Sequence, residues 1–238
     1  MNLLSTHNLD GFYGLFQALF SVNLEIDSGE SIALIGANGA GKSTLLKALA
    51  GELKVAPWAI RLAGKAIGGT AAYDMARLGV SLVPEGRRLF PSLSVEENLL
   101  LGRQSGRGGP WSLGRLYDLF PVLKDLRHRA GTALSGGQQQ LVALGRGLMA
   151  NPSLMLCDEI SLGLSPAAVK DVHAAIKVAQ QEGIAIILVE QNIRRALAMT
   201  QRFYCLRKGE IALCGDSATA DLERVSQAYF GVQDVCMG

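Results

Sequence analysis

Residues Gly36 to Thr44 read GANGAGKST, set between an apolar run, SIALI, and a helix-forming run, KSTLLKALAG. This is the pattern GxxxxGK[ST] in a strand-to-helix context, and few folds accept it. Glycines let successive backbone N–H groups turn toward an anion, and the helix start adds the positive end of its dipole. The chemistry then assigns Lys42 to the β- and γ-phosphates of a nucleotide and the Ser43 hydroxyl to Mg²⁺, with Gly39 and Gly41 permitting the tight wrap. An ordinary glycine-rich turn is the plain alternative; the complete motif in this context disfavours it.

The rest of the chain alternates in the same way. GVSLVPE, SLMLCDE and IAIILVE are short apolar strands, the last of them read as the final buried strand. Between them lie helical patterns: Ser94 to Gly102, Leu113 to Leu126, GGQQQLVALGRGLMANP stopped by Pro152, and PAAVKDVHAAIKVAQQEG with Val169, Val172 and Ile176 inward. Hydrophobic residues make up 49% of the 238, yet aromatics only 6%, so Ala, Leu, Ile and Val must build the core. That suits a parallel sheet covered by helices. The first 30 residues and Phe203 to Leu213 alternate more and carry Gly-bounded turns, which predicts an antiparallel patch. GRQSGRGGP, Gly102 to Pro110, reads as a flexible loop.

In such a sheet, ligands bind at the carboxyl ends of the strands. Three strands end in informative residues: Gly36, Asp158-Glu159 and Glu190-Gln191-Asn192. An acid ending a buried strand beside a phosphate loop is a natural Mg²⁺ partner, here Asp158. Glu159 is the candidate general base for an attacking water. Two solvated carboxylates would be the ordinary explanation if Lys42 and Ser43 were absent.

Several classes are disfavoured. A net charge of +2 does not argue for nucleic acid. Arg194, Arg195 and Arg202 could form a basic face, although isolated arginines usually decorate a solvated surface. No apolar run approaches the roughly 20 residues of a spanning helix, and the first 20 residues do not read as a signal peptide. Cys157, Cys205, Cys214 and Cys236 form no CxxC pair and are expected to be free thiols in a reducing cytosol.

LSGGQQQ, Leu134 to Gln140, opens a second helix. Ser135 is a candidate N-cap, and Gly136 and Gly137 leave the first N–H groups open, which makes a second anion-grade helix terminus. With GANGAGKST, LSGGQ and LMLCDE in that order, the whole chain resembles the nucleotide-binding subunit of an ABC transporter. The resemblance implies one α/β domain over 1–238: a P-loop NTPase fold with a RecA-like parallel core, an antiparallel β-subdomain, and a helical subdomain at about 94–150. It implies ATP and Mg²⁺ as cofactors. It also implies a head-to-tail pair of cassettes, in which Ser135, Gly136, Gly137 and Gln138 close on the nucleotide held by Gly36, Asn38, Gly39, Ala40, Gly41, Lys42, Ser43 and Thr44 of the other chain.

Other positions follow from the same resemblance. Tyr13 falls where the family stacks an aromatic on adenine. Val83 to Leu99 falls where the family couples the ATP site to a membrane subunit, with Glu85 in place of the usual glutamine as a possible Mg²⁺ or water contact. Gln191 takes the switch position, usually a histidine that touches the γ-phosphate; its amide donates but cannot become cationic. Ile160 replaces a proline after the catalytic glutamate, and Leu164 replaces an aspartate. Glu85, Leu164 and Gln191 together are similar to the second ATPase (LivF-like) of branched-chain amino-acid importers and relatives for urea or amides; Ile160 fits no such pattern. The implied partners are a second ABC ATPase, identical or homologous, separate transmembrane permease subunits and, indirectly, a substrate-binding protein, without nucleic acid. The implied location is peripheral, on the cytoplasmic face of the inner or plasma membrane. The rival expectation is an ATP-binding regulatory subunit that hydrolyses weakly.

Overall fold

The computed structural model describes residues 2–230. Its centre is a six-stranded sheet in the spatial order Glu210–Asp216, Arg202–Arg207, Ser31–Ile35, Ala185–Val189, Leu154–Asp158 and Val80–Val83. The last five strands run parallel, and Glu210–Asp216 pairs antiparallel to Arg202–Arg207 at one edge. SIALI, LMLCD and AIILV are buried at every position, as parallel strands covered on both faces must be.

Two apolar layers enclose this sheet. One joins the phosphate-loop helix, Lys42–Leu49, to the amino-terminal strands. The other packs the helices Gly136–Met149 and Pro166–Gln181 on the opposite face. In the latter helix Val172, Ala175, Ile176 and Ala179 are buried; Val169 is only half-buried.

The amino-terminal strands are antiparallel, as the alternation predicts. Glu25–Asp27, Asn2–Thr6, Ile60–Leu62 and Lys65–Ala66 form one sheet, and Leu9–Tyr13 pairs with Phe16–Val22 as a hairpin. The expectation for Phe203 to Leu213 holds in part: Arg202–Arg207 pairs antiparallel with Glu210–Asp216. Arg202–Arg207 joins the core in parallel beside Ser31–Ile35, so Ala185–Val189 is not the last buried strand. Its Phe-Tyr-Cys-Leu centre is buried on both faces, and the alternating partner is Glu210–Asp216.

Between Val80–Val83 and Leu154–Asp158 the chain is largely helical. Ser94 starts Val95–Leu100 with a capping box to Glu97. Leu113 to Leu126 divides into Leu113–Leu119 and Pro121–Asp125, because Pro121 lacks an N–H and opens a new helix. The glycine-rich stretch begins as a 3-10 helix, Leu101–Ser105. Arg107 then anchors it, donating to Asn151 O at 3.0 Å, Arg77 O at 3.3 Å and Ser153 Oγ at 3.0 Å.

Candidate functional site

The carboxyl ends of the core strands border one cleft of about 730 Å³, lined by Lys42, Ser43, Thr44, Glu85, Glu159 and Gln191 together with Asn38, Gly39 and Gly41. At Gly36 the loop leaves its strand with φ 155°, and a Cβ there would lie 2.4 Å from Leu206 O. Only glycine lets the two backbones approach so closely. Gly36 and Ala40 lie at the base of the loop rather than on the cleft wall. The Gly36 carbonyl accepts from Lys42 Nζ at 2.7 Å, and Ala37 O accepts from it at 3.1 Å. The ammonium is thus already turned into the loop. Burial holds the Lys42 pKa below its usual value, against the opposing pull of Glu159 and Asp158.

Ser43 Oγ donates to Asp158 Oδ1 at 3.2 Å. Burial raises the Asp158 pKa, and the charges of Glu159 and Glu85 act in the same direction, against the Ser43 hydrogen bond and Lys42. Ser43 and Asp158 offer hard oxygen donors side by side. Among the described residues no group of three or more His, Cys, Asp or Glu side chains could hold a metal. That donor set fits Mg²⁺, which takes one or two protein oxygens and completes its shell with phosphates and water.

Glu159 stands just past the strand end with φ 47°. Its amide donates to Val189 O at 3.1 Å. Gln191 Nε2 donates to Glu159 Oε2 at 2.7 Å, so the two polar ends of neighbouring strands are joined. Ile160 is 1% exposed and packs into the core layer that holds the helices Gly136–Met149 and Pro166–Gln181. A proline there would push the residue before it toward extended backbone; Ile160 leaves Glu159 free to turn left-handed.

Tyr13 lies at the hairpin end of the cleft, 45% exposed. Phe16 and Phe20, which sequence reasoning missed, share that wall. Their signal was the stretch FYGLFQALF, too aromatic for a hairpin with no ligand to meet. Lys208 was also missed. It sits left-handed in the turn before Glu210–Asp216 and lines the cleft. Gly209 beside it donates to Ala40 O at 2.9 Å, which docks that turn on the phosphate loop.

Ser135, Gly136, Gly137 and Gln138 do not line this cleft. Ser135 caps the helix Gly136–Met149 in a capping box with Gln138, so the Gln138 N–H is already bonded to Ser135 Oγ. Gly137 has a packing reason as well: a Cβ would lie 2.6 Å from Ala168 Cβ. Arg87 reaches Gln139 Oε1 at 3.0 Å, linking the segment after Val80–Val83 to this helix. A basic face does not assemble from all three candidate arginines: Arg202 is paired with Glu30, and Arg195 donates to Ser161. Cys157, Cys205 and Cys214 are free thiols, burial raising Cys205 to about 11 and Cys157 further; Cys236 lies outside the described residues.

Comparison with known proteins matches this geometry to a family. A family model described as ABC transporter matches residues 19–161. The chain is 42% identical over 234 residues to the high-affinity branched-chain amino acid transport ATP-binding protein BraG of Pseudomonas aeruginosa, covering 96% of this chain and 100% of that one. It is 34% identical to the arginine transport ATP-binding protein ArtP of Haemophilus influenzae, with 88% and 90% covered. It is 30% identical to the probable branched-chain amino acid transport ATP-binding protein LivF of Archaeoglobus fulgidus, with 98% and 100% covered. Among solved structures, the ADP conformation of MJ1267, an ATP-binding cassette of an ABC transporter, gives a TM-score of 0.80 at 25% identity, with 98% and 100% covered. Fold and site thus define an ATP-binding cassette. The chain belongs to the ABC transporter family and is an ATPase of that class. Among the described residues no helix is long and apolar enough to cross a membrane.

Proposed function

We propose that this chain is the ATP-hydrolysing subunit of an importer for branched-chain amino acids, forming one cassette over 1–238 with a helical subdomain at about 94–150. The observation that carries the chemistry is the convergence of Lys42, Ser43, Glu85, Glu159 and Gln191 on one cleft with Tyr13 and Phe16 at its end. The solute rests on likeness to BraG and LivF, with ArtP, an arginine transport protein, also similar.

ATP lies with adenine on the Tyr13 side and its phosphates in Gly36–Thr44. Lys42 neutralises charge on the terminal phosphates, its ammonium exchanging the Gly36 and Ala37 carbonyls for phosphate oxygens. Ser43 and Asp158 would hold Mg²⁺, with Glu85 on the same wall. When bound, that ion offsets the negative charge that grows on the phosphate oxygens. Glu159 orients the attacking water and takes its proton, while Gln191 holds Glu159 by its amide. Ser135, Gly136, Gly137 and Gln138 serve the nucleotide of a partner cassette, which accounts for their absence from this chain's cleft. Permease subunits dock near Glu85 to Leu99, placing the chain peripherally on the cytoplasmic membrane face.

Phosphate release from MgATP by the wild type and by Glu159→Gln tests this reading. A positioned base contributes about 10²–10⁴ in rate, so the variant is expected to bind ATP and lose at least a hundredfold in turnover. Equal rates would remove Glu159 from the chemistry. Binding without turnover by either chain, even with partner subunits, would favour the regulatory reading. The Gln191–Glu159 hydrogen bond already occupies one oxygen of the base, and that observation motivates this second reading.

A further inference from the structure

Behind the cleft lie three polar side chains that the chemistry above does not use. Glu190 follows the strand Ala185–Val189 and is 3% exposed; Ser161 is 7% exposed. Ser161 Oγ donates to Glu190 Oε1 at 2.5 Å and accepts from Arg195 Nη1 at 3.3 Å. Arg195 belongs to the helix Ile193–Met199, which Asn192 caps by accepting from the Arg195 N–H at 2.9 Å. A carboxylate this buried is strongly unfavourable without partners, so the cluster stands only because it is connected.

Its position matters more than its presence. The segments leaving two adjacent parallel strands are tied three times within three residues. Glu159 N–H donates to Val189 O, Gln191 Nε2 to Glu159 Oε2, and Ser161 Oγ to Glu190 Oε1. Past the strand end the chain bends at Gln191, so Glu190 is held inward while Gln191 is exposed and meets Glu159. Ser161, two residues after Glu159, fixes the other end of the same bridge.

We propose that buried Glu190 and Ser161, with half-buried Arg195, form a brace that holds Gln191 against Glu159, making Glu190 a positioning residue for ATP hydrolysis. The proposal rests on the reading of Glu159 as the base. Ser161 also begins the loop that leads to Pro166, where the helix Pro166–Gln181 starts against Gly137. The brace thus joins the Gln191 switch position to the segment that packs on the helix Gly136–Met149.

The test is phosphate release against MgATP concentration for the wild type, Ser161→Ala, Glu190→Ala, the double variant and Glu190→Gln, with melting temperatures alongside. Loss of positioning is expected to lower kcat about tenfold in each alanine variant while KM stays within about twofold. The double variant is expected to be no worse than either single one, because both remove the same link. Glu190→Gln keeps an acceptor for Ser161 and is expected to recover most of the rate. Unchanged kcat in Ser161→Ala, additive losses, or a parallel rise in KM would overturn the brace. If Glu190→Ala does not fold, Ser161→Ala and Glu190→Gln decide: a slow former and a fast latter support it, and equal rates reject it. A wild type that never hydrolyses ATP overturns the base assignment and the brace together; an active wild type with equally active variants overturns the brace alone.

Discussion

Glu190 shows how one residue can be unfavourable for stability and useful for chemistry. Burial raises its pKa above the ordinary 4.5, and the Ser161 hydrogen bond and the Arg195 charge do not reverse this; Glu159 nearby adds to the rise. His173, whose own pKa is lowered by burial and by Arg195, lies on the same side. The sign follows from linkage. A group with a raised folded pKa contributes stability that is complete below about 4.5 and lost as the pH climbs through its folded value. Glu190→Gln removes that pH-dependent penalty and keeps the shape. Its melting temperature is therefore expected to exceed that of the wild type at pH 7.5, by roughly 2–4 °C if the relief is near 1 kcal/mol. The gap is expected to close near pH 4.5. Thermal scans at both values check it; a variant less stable at pH 7.5 would show that charge pairing outweighs burial. Glu190 was visible in the sequence as a polar stop to an apolar strand, but which neighbour meets it was not. That depends on Ser161, 29 residues away, arriving beside it through the pairing of Val189 with Asp158.

Elements were legible where period and punctuation agreed. The buried strands LMLCD and AIILV stand where apolar runs end in polar residues, SIALI where one ends in the glycine of the phosphate loop, and Ser135 caps its helix as its position before Gly136 implies. The loop Gly102 to Pro110 was not legible, because glycine permits flexibility and close packing alike. At Gly102 it serves packing, since a Cβ there would lie 2.1 Å from Arg146 O, while Gly106 and Gly108 face open space. Arg107 holds the other half through its three acceptors, close to Asn151, which exchanges hydrogen bonds with the Trp111 backbone. Arg202–Arg207 was misplaced for a related reason. Its flanking arginines and following Lys-Gly turn look like a surface hairpin, while its four central residues are core. If Arg107 anchors the loop, Arg107→Ala is expected to destabilise the protein by about 1–3 kcal/mol and to open the loop to trypsin at Arg103. Limited proteolysis and a denaturant titration test both; an intact loop with unchanged stability would return it to the flexible class that its composition suggests.

At the scale of the whole molecule, the cleft and the start of the helix Gly136–Met149 lie apart, and the proposed function makes them halves of different sites. Lys42, Ser43 and Glu159 face one opening, while Ser135 to Gln138 face elsewhere, already capped and packed on Ala168. A single chain holding both is self-sufficient only if a second cassette presents the missing half to each, head to tail, an isologous arrangement that gives two composite sites. This can be tested without knowing the solute. A chain carrying Lys42→Ala has a defective phosphate loop and an intact LSGGQ stretch; a chain carrying Ser135→Arg has the reverse. Each alone is expected to be inactive, since both sites of either homodimer are broken. Mixed in equal amounts, half of the dimers are hybrids, and each hybrid has one site built from two intact halves. Recovery of roughly a quarter of wild-type turnover is therefore expected for random pairing of identical chains. Recovery near zero, from variants that still fold and of which Ser135→Arg still binds ATP, would mean that this chain does not pair productively with itself. The complementary half would then belong to a different cassette, and the same two variants, each added to that partner, would show which of its two sites hydrolyses.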